Sequence, residues 1–226
     1  MKKKDVAKNI RESLGMSEPE NLDEALVVQA KPFAIPTEAL SGENIRNHYS
    51  LYEAYAKDFN QISAELDGAN TSTASSNHSA FRSLKIDEVY NINAAYLHAL
   101  YFENISDVRS VITMDSLAFM RLERDFGSFD AWQKDFVACA LSARNGWAMT
   151  VYNSMLKRYI NVVVDLHHHN IPIASHPIVV VDCWEHSYYR DYLSDRKTYV
   201  YGMMKELDWN VIEKRFKKAE KIAKIG

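Results

Sequence analysis

Cysteine is scarce, with Cys139 and Cys183 alone in 226 residues, so no disulfide framework braces the fold. Both lie among apolar neighbours and read as buried thiols in a reducing, cytoplasmic setting. An excess of positive charge is also missing: 27 Lys and Arg face 30 Asp and Glu, a formal net charge of −3 with eight neutral histidines. A nucleic-acid binder needs a broad positive field, so that class of partner is argued against. No apolar run approaches the roughly 20 residues that cross a bilayer, and the longest is centred on 178–181. The basic start Met1-Lys2-Lys3-Lys4 meets Asp5, Lys8, Arg11 and Glu12 where a secretion signal would be apolar. A soluble chain with no membrane partner is expected. No internal repeat is visible.

What is present is enough for a substantial core, with 47% hydrophobic and 25% charged residues. Residues 1–30 are rich in Lys and Glu, contain Pro19 and read as an arm. Ser41 can cap a helix on which Ile45, Tyr49, Tyr52, Tyr55 and Phe59 recur at three- and four-residue steps. The small polar run 67–79 is expected to be an exposed connection. A second helix is expected from about 87 to 104, a short one over 117–124, and another capped by Ser128 and running to about 143. Gly146 breaks that pattern. Segments 147–152, 159–166 and 178–182 are rich in β-branched and aromatic residues, which predicts three strands, and the tail returns to helix. The order implies an α+β chain: a helical hairpin lobe over 31–112, then an α/β lobe over 113–226 with a small three-stranded antiparallel sheet.

Asp182 follows Ile178-Val179-Val180-Val181 and so ends a buried strand, where a carboxylate needs a partner or a metal. His186 lies four residues on, where the chain turns into a helix. Alone, the pair is as well explained by capping. His48 and His98 each sit mid-helix among apolar residues, and either alone reads as a core histidine. Four such groups together suit iron, manganese or zinc.

Asp182-Cys-Trp-Glu-His-Ser-Tyr-Tyr-Arg-Asp-Tyr192 resembles the Asp-x-Trp-Glu-His-Ala-Tyr-Tyr signature of iron/manganese superoxide dismutases. His98-Ala-Leu-Tyr-Phe-Glu-Asn104 resembles the family's second ligand helix, and Phe126-Gly-Ser-Phe its lobe-joining helix. Asn145-Gly146-Trp147 resembles its pocket-lining tryptophan, and Leu207-Asp208-Trp209 its last helix. The similarity runs from about Pro32 to Phe216.

The resemblance implies that His48, His98, Asp182 and His186 ligate one iron or manganese ion per subunit, with a solvent molecule as fifth ligand. The reaction implied is disproportionation of superoxide to O₂ and H₂O₂. A hydrogen bond to that solvent tunes the redox preference. The loop Asp165-Leu-His167-His168-His169-Asn170 resembles the subset in which a histidine supplies it, and His167 is the donor implied, with His168 and His169 facing solvent. The alternative donor position, one turn before the second ligand, is Ala94. Trp147 and Trp184 wall the pocket. Glu185 and Tyr189 correspond to residues that reach across a homodimer, Glu185 to the partner's His186 and Tyr189 to its His48.

The first helix departs from the family. A gateway tyrosine is expected one residue beyond Tyr55, so either Tyr55 fills that role after a deletion or Ala56 has replaced it; Tyr55 is the reading adopted. Tyr52 stands near the family's supporting histidine, and Met149 replaces a second tryptophan. The competing reading is a member of this fold kept for a structural or interaction role, although such copies lose ligands and all four are filled here. The sequence does not choose between iron and manganese.

Overall fold

The computed structural model describes residues 27–33, 35, 37–105 and 110–223. Helix α1, Gly42–Asp67, begins where the Ser41 hydroxyl accepts a hydrogen bond from the Asn44 N–H at 3.1 Å. Its buried residues Asn44, His48, Tyr52, Ala56 and Phe59 recur at steps of four and three and form one stripe. That stripe packs against α2, Ala80–Asn104. Helix α2 starts earlier than the pattern predicts, because the Ser79 side chain accepts from the Arg82 N–H at 3.2 Å and caps an additional stretch. The connection between them is exposed, as expected, and holds one 3₁₀ turn, Thr71–Thr73.

The expected arm, 1–30, falls outside the described residues except for 27–30. Val28 lies along α1: its N–H donates to Asn60 Oδ1 at 2.8 Å, and its carbonyl accepts from Asn60 Nδ2 at 2.8 Å.

Helix α3, Leu117–Phe126, is capped by Ser116 and by the Glu213 carboxylate, which accepts from the N–H groups of Leu117 and Ala118. It ends at Gly127, whose φ of 86° favours glycine. Helix α4, Phe129–Ser142, starts with Ser128 accepting from the Ala131 N–H at 3.0 Å, as the sequence implies.

Three strands follow: β1 Gly146–Asn153, β2 Arg158–Asp165 and β3 Ser175–Asp182, in the order β2-β1-β3 with both pairings antiparallel. All eight residues of β1 are buried, as befits a central strand covered on both faces. The third strand extends further back than 178 because Pro177, opposite Val151, lies on the sheet edge, where a missing N–H does no harm. A Cβ on Gly146 would lie 1.9 Å from the Val164 carbonyl oxygen, so only glycine lets β1 approach β2 there. Helices α5 Glu185–Tyr192, α6 Arg196–Lys205 and α7 Trp209–Ala223 complete the chain.

Helix α2 and strand β3 pack against each other, and Arg215 of α7 fastens them. Its guanidinium donates to the carbonyls of Leu100 and Ile178 at 2.9 and 3.0 Å and pairs with Glu103 at 3.0 Å. The two elements it joins carry His98 and Asp182.

Candidate metal centre

The four expected ligands meet. Asp182 ends β3 directly opposite Trp147 of β1 and is fully buried. Its Oδ1 accepts from the Trp184 N–H at 2.8 Å, which leaves Oδ2 facing inward. Around Oδ2 stand His48 Nε2 at 3.0 Å, His186 Nε2 at 3.2 Å and His98 Nε2 at 3.7 Å. One ligand atom from each residue lies within 4.8 Å of all the others. Two helices supply one histidine each, while the strand end and the first turn of α5 supply the other two groups.

The chemistry of this set fits a metal ion. His98 is fully buried, and its Nδ1–H is taken by the Ala94 carbonyl at 2.7 Å, so Nε2 carries a lone pair. That Nε2 has no hydrogen-bond partner, an arrangement that costs free energy unless something electrophilic sits before it. Burial depresses the pKa of His48, against the pull of Asp182, and lowers that of His98 well below the ordinary imidazole range, with His48 adding to the effect. Both are thus held neutral, the form that binds metal. Burial pushes the Asp182 carboxyl up, but His186 and His48 outweigh it and hold the group well below the usual carboxylate range. Three imidazoles and one carboxylate suit a first-row transition metal.

Residues 113–215 match the family described as iron/manganese superoxide dismutases, C-terminal domain. The chain is 31% identical over 188 residues to the superoxide dismutase [Fe] of Aquifex aeolicus, covering 81% of this chain and 87% of that protein. It is 34% identical over 173 residues to superoxide dismutase [Mn] 1 of Halobacterium salinarum, covering 76% and 84%. The chain belongs to the iron/manganese superoxide dismutase family. Its helical N-terminal part and its α/β part with a three-stranded antiparallel sheet are as the resemblance implied. Relatives named for iron and for manganese both match, so the comparison leaves the metal as open as the sequence does.

Around the dismutase-family ligand set lies a shell of rings. Trp147 meets His98 edge-on at 5.0 Å, and Trp184 stacks against both His186 and His167. His167 is fully buried and follows a tight turn in which Leu166 adopts a φ of 56°. Such backbone is disfavoured for a leucine and is held here by the Leu166 N–H bonding the Asn145 carbonyl at 2.7 Å. Trp147 Nε1–H donates to His167 Nδ1 at 3.1 Å. The opposite nitrogen, Nε2, therefore holds the ring proton and faces the Tyr55 hydroxyl at 3.3 Å. Burial lowers the His167 pKa to about 4 and raises that of Tyr55 well above the phenol range, with Tyr90 adding to the latter.

The hydroxyl that meets His167 is thus Tyr55's, while Ala56 is buried in the helix pair. Tyr52 turns its own hydroxyl away to accept from the Lys31 N–H at 2.9 Å. Ala94 is fully buried and contributes only its carbonyl. Met149 is core. His169 is exposed, whereas His168 is half-buried with its ring 5.7 Å from that of Tyr90. Glu185 and Tyr189 are exposed on α5. The His48 side chain is fully buried.

Sequence reasoning passed over Tyr90, whose ring lies 4.7 Å from that of His167. Tyr90, Ala94 and His98 are spaced by four on α2; that spacing was the available signal.

Proposed function

We propose that this chain disproportionates superoxide to O₂ and H₂O₂ at one iron or manganese ion held by His48, His98, Asp182 and His186. The observation that carries this reading is the convergence of three imidazole Nε2 atoms on Asp182 Oδ2, with His98 Nε2 otherwise partnerless. When bound, the ion supplies one-electron chemistry, accepting an electron from one superoxide and returning it to the next. The remaining tasks fall to the protein.

Two protons must reach the second superoxide for H₂O₂ to leave, and Tyr55 and His167 are the proton-bearing groups beside the ligands. Trp147 fixes the His167 tautomer so that its Nε2–H points at Tyr55. His167 carries one N–H, on Nε2, and it serves as the donor that tunes the redox preference by turning from Tyr55 Oη to solvent at the site. Trp147, Trp184, Tyr101 and Phe102 exclude water from the imidazoles and strengthen every electrostatic contact there.

The exposed positions of Glu185 and Tyr189 on the element that carries His186 support a homodimer formed through α5. The two free cysteines support a cytoplasmic setting, where thiols stay reduced, and an antioxidant role follows from the proposed reaction. We divide the chain into an arm, 1–30, a helical hairpin, 31–112, and an α/β unit, 113–226. Helix α5 and the Arg215 clamp both support treating the last two as one working site.

The test is expression with iron and with manganese supplied separately, metal analysis, and a superoxide-consumption assay on each form. About one ion per chain and activity in at least one form is expected, with His98→Ala losing the ion. Substoichiometric metal, or inactivity of both loaded forms, refutes the reading.

A further inference from the structure

We infer that Tyr199 is a positioning residue for the metal centre: its hydroxyl, backed by that of Tyr101, fixes the main chain at Asp182 and thereby aims the carboxylate at the three imidazoles. The inference rests on the dismutase reading for the identity of the ligands and adds a residue from a helix that carries none of them.

The Asp182 carboxylate moves with its own backbone, because Oδ1 accepts from the Trp184 N–H at 2.8 Å. What holds that backbone therefore decides where Oδ2 points. On the sheet side, the Cys183 N–H bonds the Gly146 carbonyl at 2.8 Å. Strand β3 is an edge strand, however, and the buried Asp182 carbonyl takes its hydrogen bond from α6, where the Tyr199 hydroxyl donates to it at 2.7 Å. Ser187 Oγ also lies 3.1 Å from that carbonyl, but its one proton goes to the nearer Trp184 carbonyl at 2.6 Å. Tyr199 is thus the donor on which the Asp182 carbonyl depends.

The hydroxyl is itself placed from the far side. With its proton committed to Asp182, Tyr199 Oη accepts from the Tyr101 hydroxyl at 3.3 Å. Tyr101 lies on α2 three residues beyond His98, and its ring packs 5.1 Å from that of His48. One row of hydrogen bonds therefore runs from the helix that carries His98 to the strand end that carries Asp182, and both tyrosines in it are fully buried. Arg215 joins the same two elements at Leu100 and Ile178, and the tyrosine pair joins them again at the ligand end. Stacking on Tyr188 at 5.2 Å and an edge contact with Tyr192 at 5.8 Å hold the Tyr199 ring independently of its hydroxyl.

Tyr199→Phe keeps those ring contacts and removes the hydroxyl alone. The probe is cobalt(II) bound to the full-length chain, whose visible absorption bands report coordination geometry. The bands should shift in Tyr199→Phe, and release of cobalt to a chelator should quicken roughly ten- to a hundredfold. Tyr101→Phe should change both in the same direction by a smaller factor. Tyr192→Phe is the control: it loses a hydrogen bond of 2.5 Å to the Ala39 carbonyl, outside the row, and should match wild type in both readouts. Wild-type bands and release in Tyr199→Phe overturn the proposal. So do equal changes in Tyr192→Phe, which would reveal a general effect of losing a phenol. Should Tyr199→Phe fail to fold, Tyr101→Phe decides, and an unaltered spectrum there overturns it. Cobalt binding requires no superoxide, so a wild-type chain that gives the cobalt spectrum yet is inactive with iron and with manganese sinks the dismutase reading and leaves this test intact. A wild-type chain that binds no cobalt overturns both.

Discussion

Replacing His167 by glutamine should flatten the acid limb of the stability curve. Burial lowers the His167 pKa from 6.5 to about 4, so between those values the unfolded chain binds a proton on this ring that the folded chain refuses. The stability tied to the neutral ring is complete above pH 6.5 and is lost as the pH falls toward 4. The whole displacement corresponds to about 3 kcal/mol, of which about 2.5 kcal/mol is gone by about pH 4.5. For a chain of this length that is roughly 5–10 °C in Tm. Glutamine is neutral throughout; its carbonyl can accept from Trp147 and its amide can donate toward Tyr55. The assay is thermal melting of metal-free wild type and His167→Gln at about pH 7.5 and about pH 4.5. Working without metal removes ion loss from the comparison, and His48 and His98 contribute equally to both chains. The variant should lose several degrees less than wild type between the two pH values. Parallel losses would refute the claim that His167 is held neutral by burial.

Gly146→Ala should disrupt the β1–β2 pairing, because the added methyl falls 1.9 Å from the Val164 carbonyl oxygen. A destabilisation of about 3 kcal/mol or more is expected, read as a lowered denaturation midpoint, and a melting temperature equal to wild type would contradict it. Arg215→Met should leave the Leu100 and Ile178 carbonyls without the donor they share and take one partner from Glu103, at a cost of about 1–3 kcal/mol for each carbonyl left unpaired. Because those groups lie on the elements that carry His98 and Asp182, the variant should also release its ion faster to a chelator. Destabilisation without faster release would separate the clamp from the site.

Helix starts were legible where a single capping residue stood before a clear apolar rhythm. Ser41 and Ser128 both cap as the sequence implied. Ser79 did not stand out, because it closes a run of Ser, Thr and Asn that offers several equally good caps. The choice among them is made by how far α2 can pack along α1. Pro177 hid the start of β3 for a related reason. A proline inside a strand reads as a break unless the strand is known to lie at the edge, and edge position is a property of sheet order.

The site posed the same difficulty more sharply. Asp182 and His186, four apart, are locally indistinguishable from a cap and its partner, and His48 and His98 from core histidines, so the ligand set was readable only through the resemblance of whole motifs. What unites them in space is that β1 places Trp147 opposite Asp182 while α1 and α2 bring their histidines against the same strand end. Tyr90 shows where even the motif falls short. Its spacing to His98 fixes which face of α2 it occupies, yet an aromatic on that face reads as packing. Its place beside the site comes from its ring meeting those of Tyr55 on α1 and His167 after β2, and the meeting of those three elements is decided by the fold as a whole.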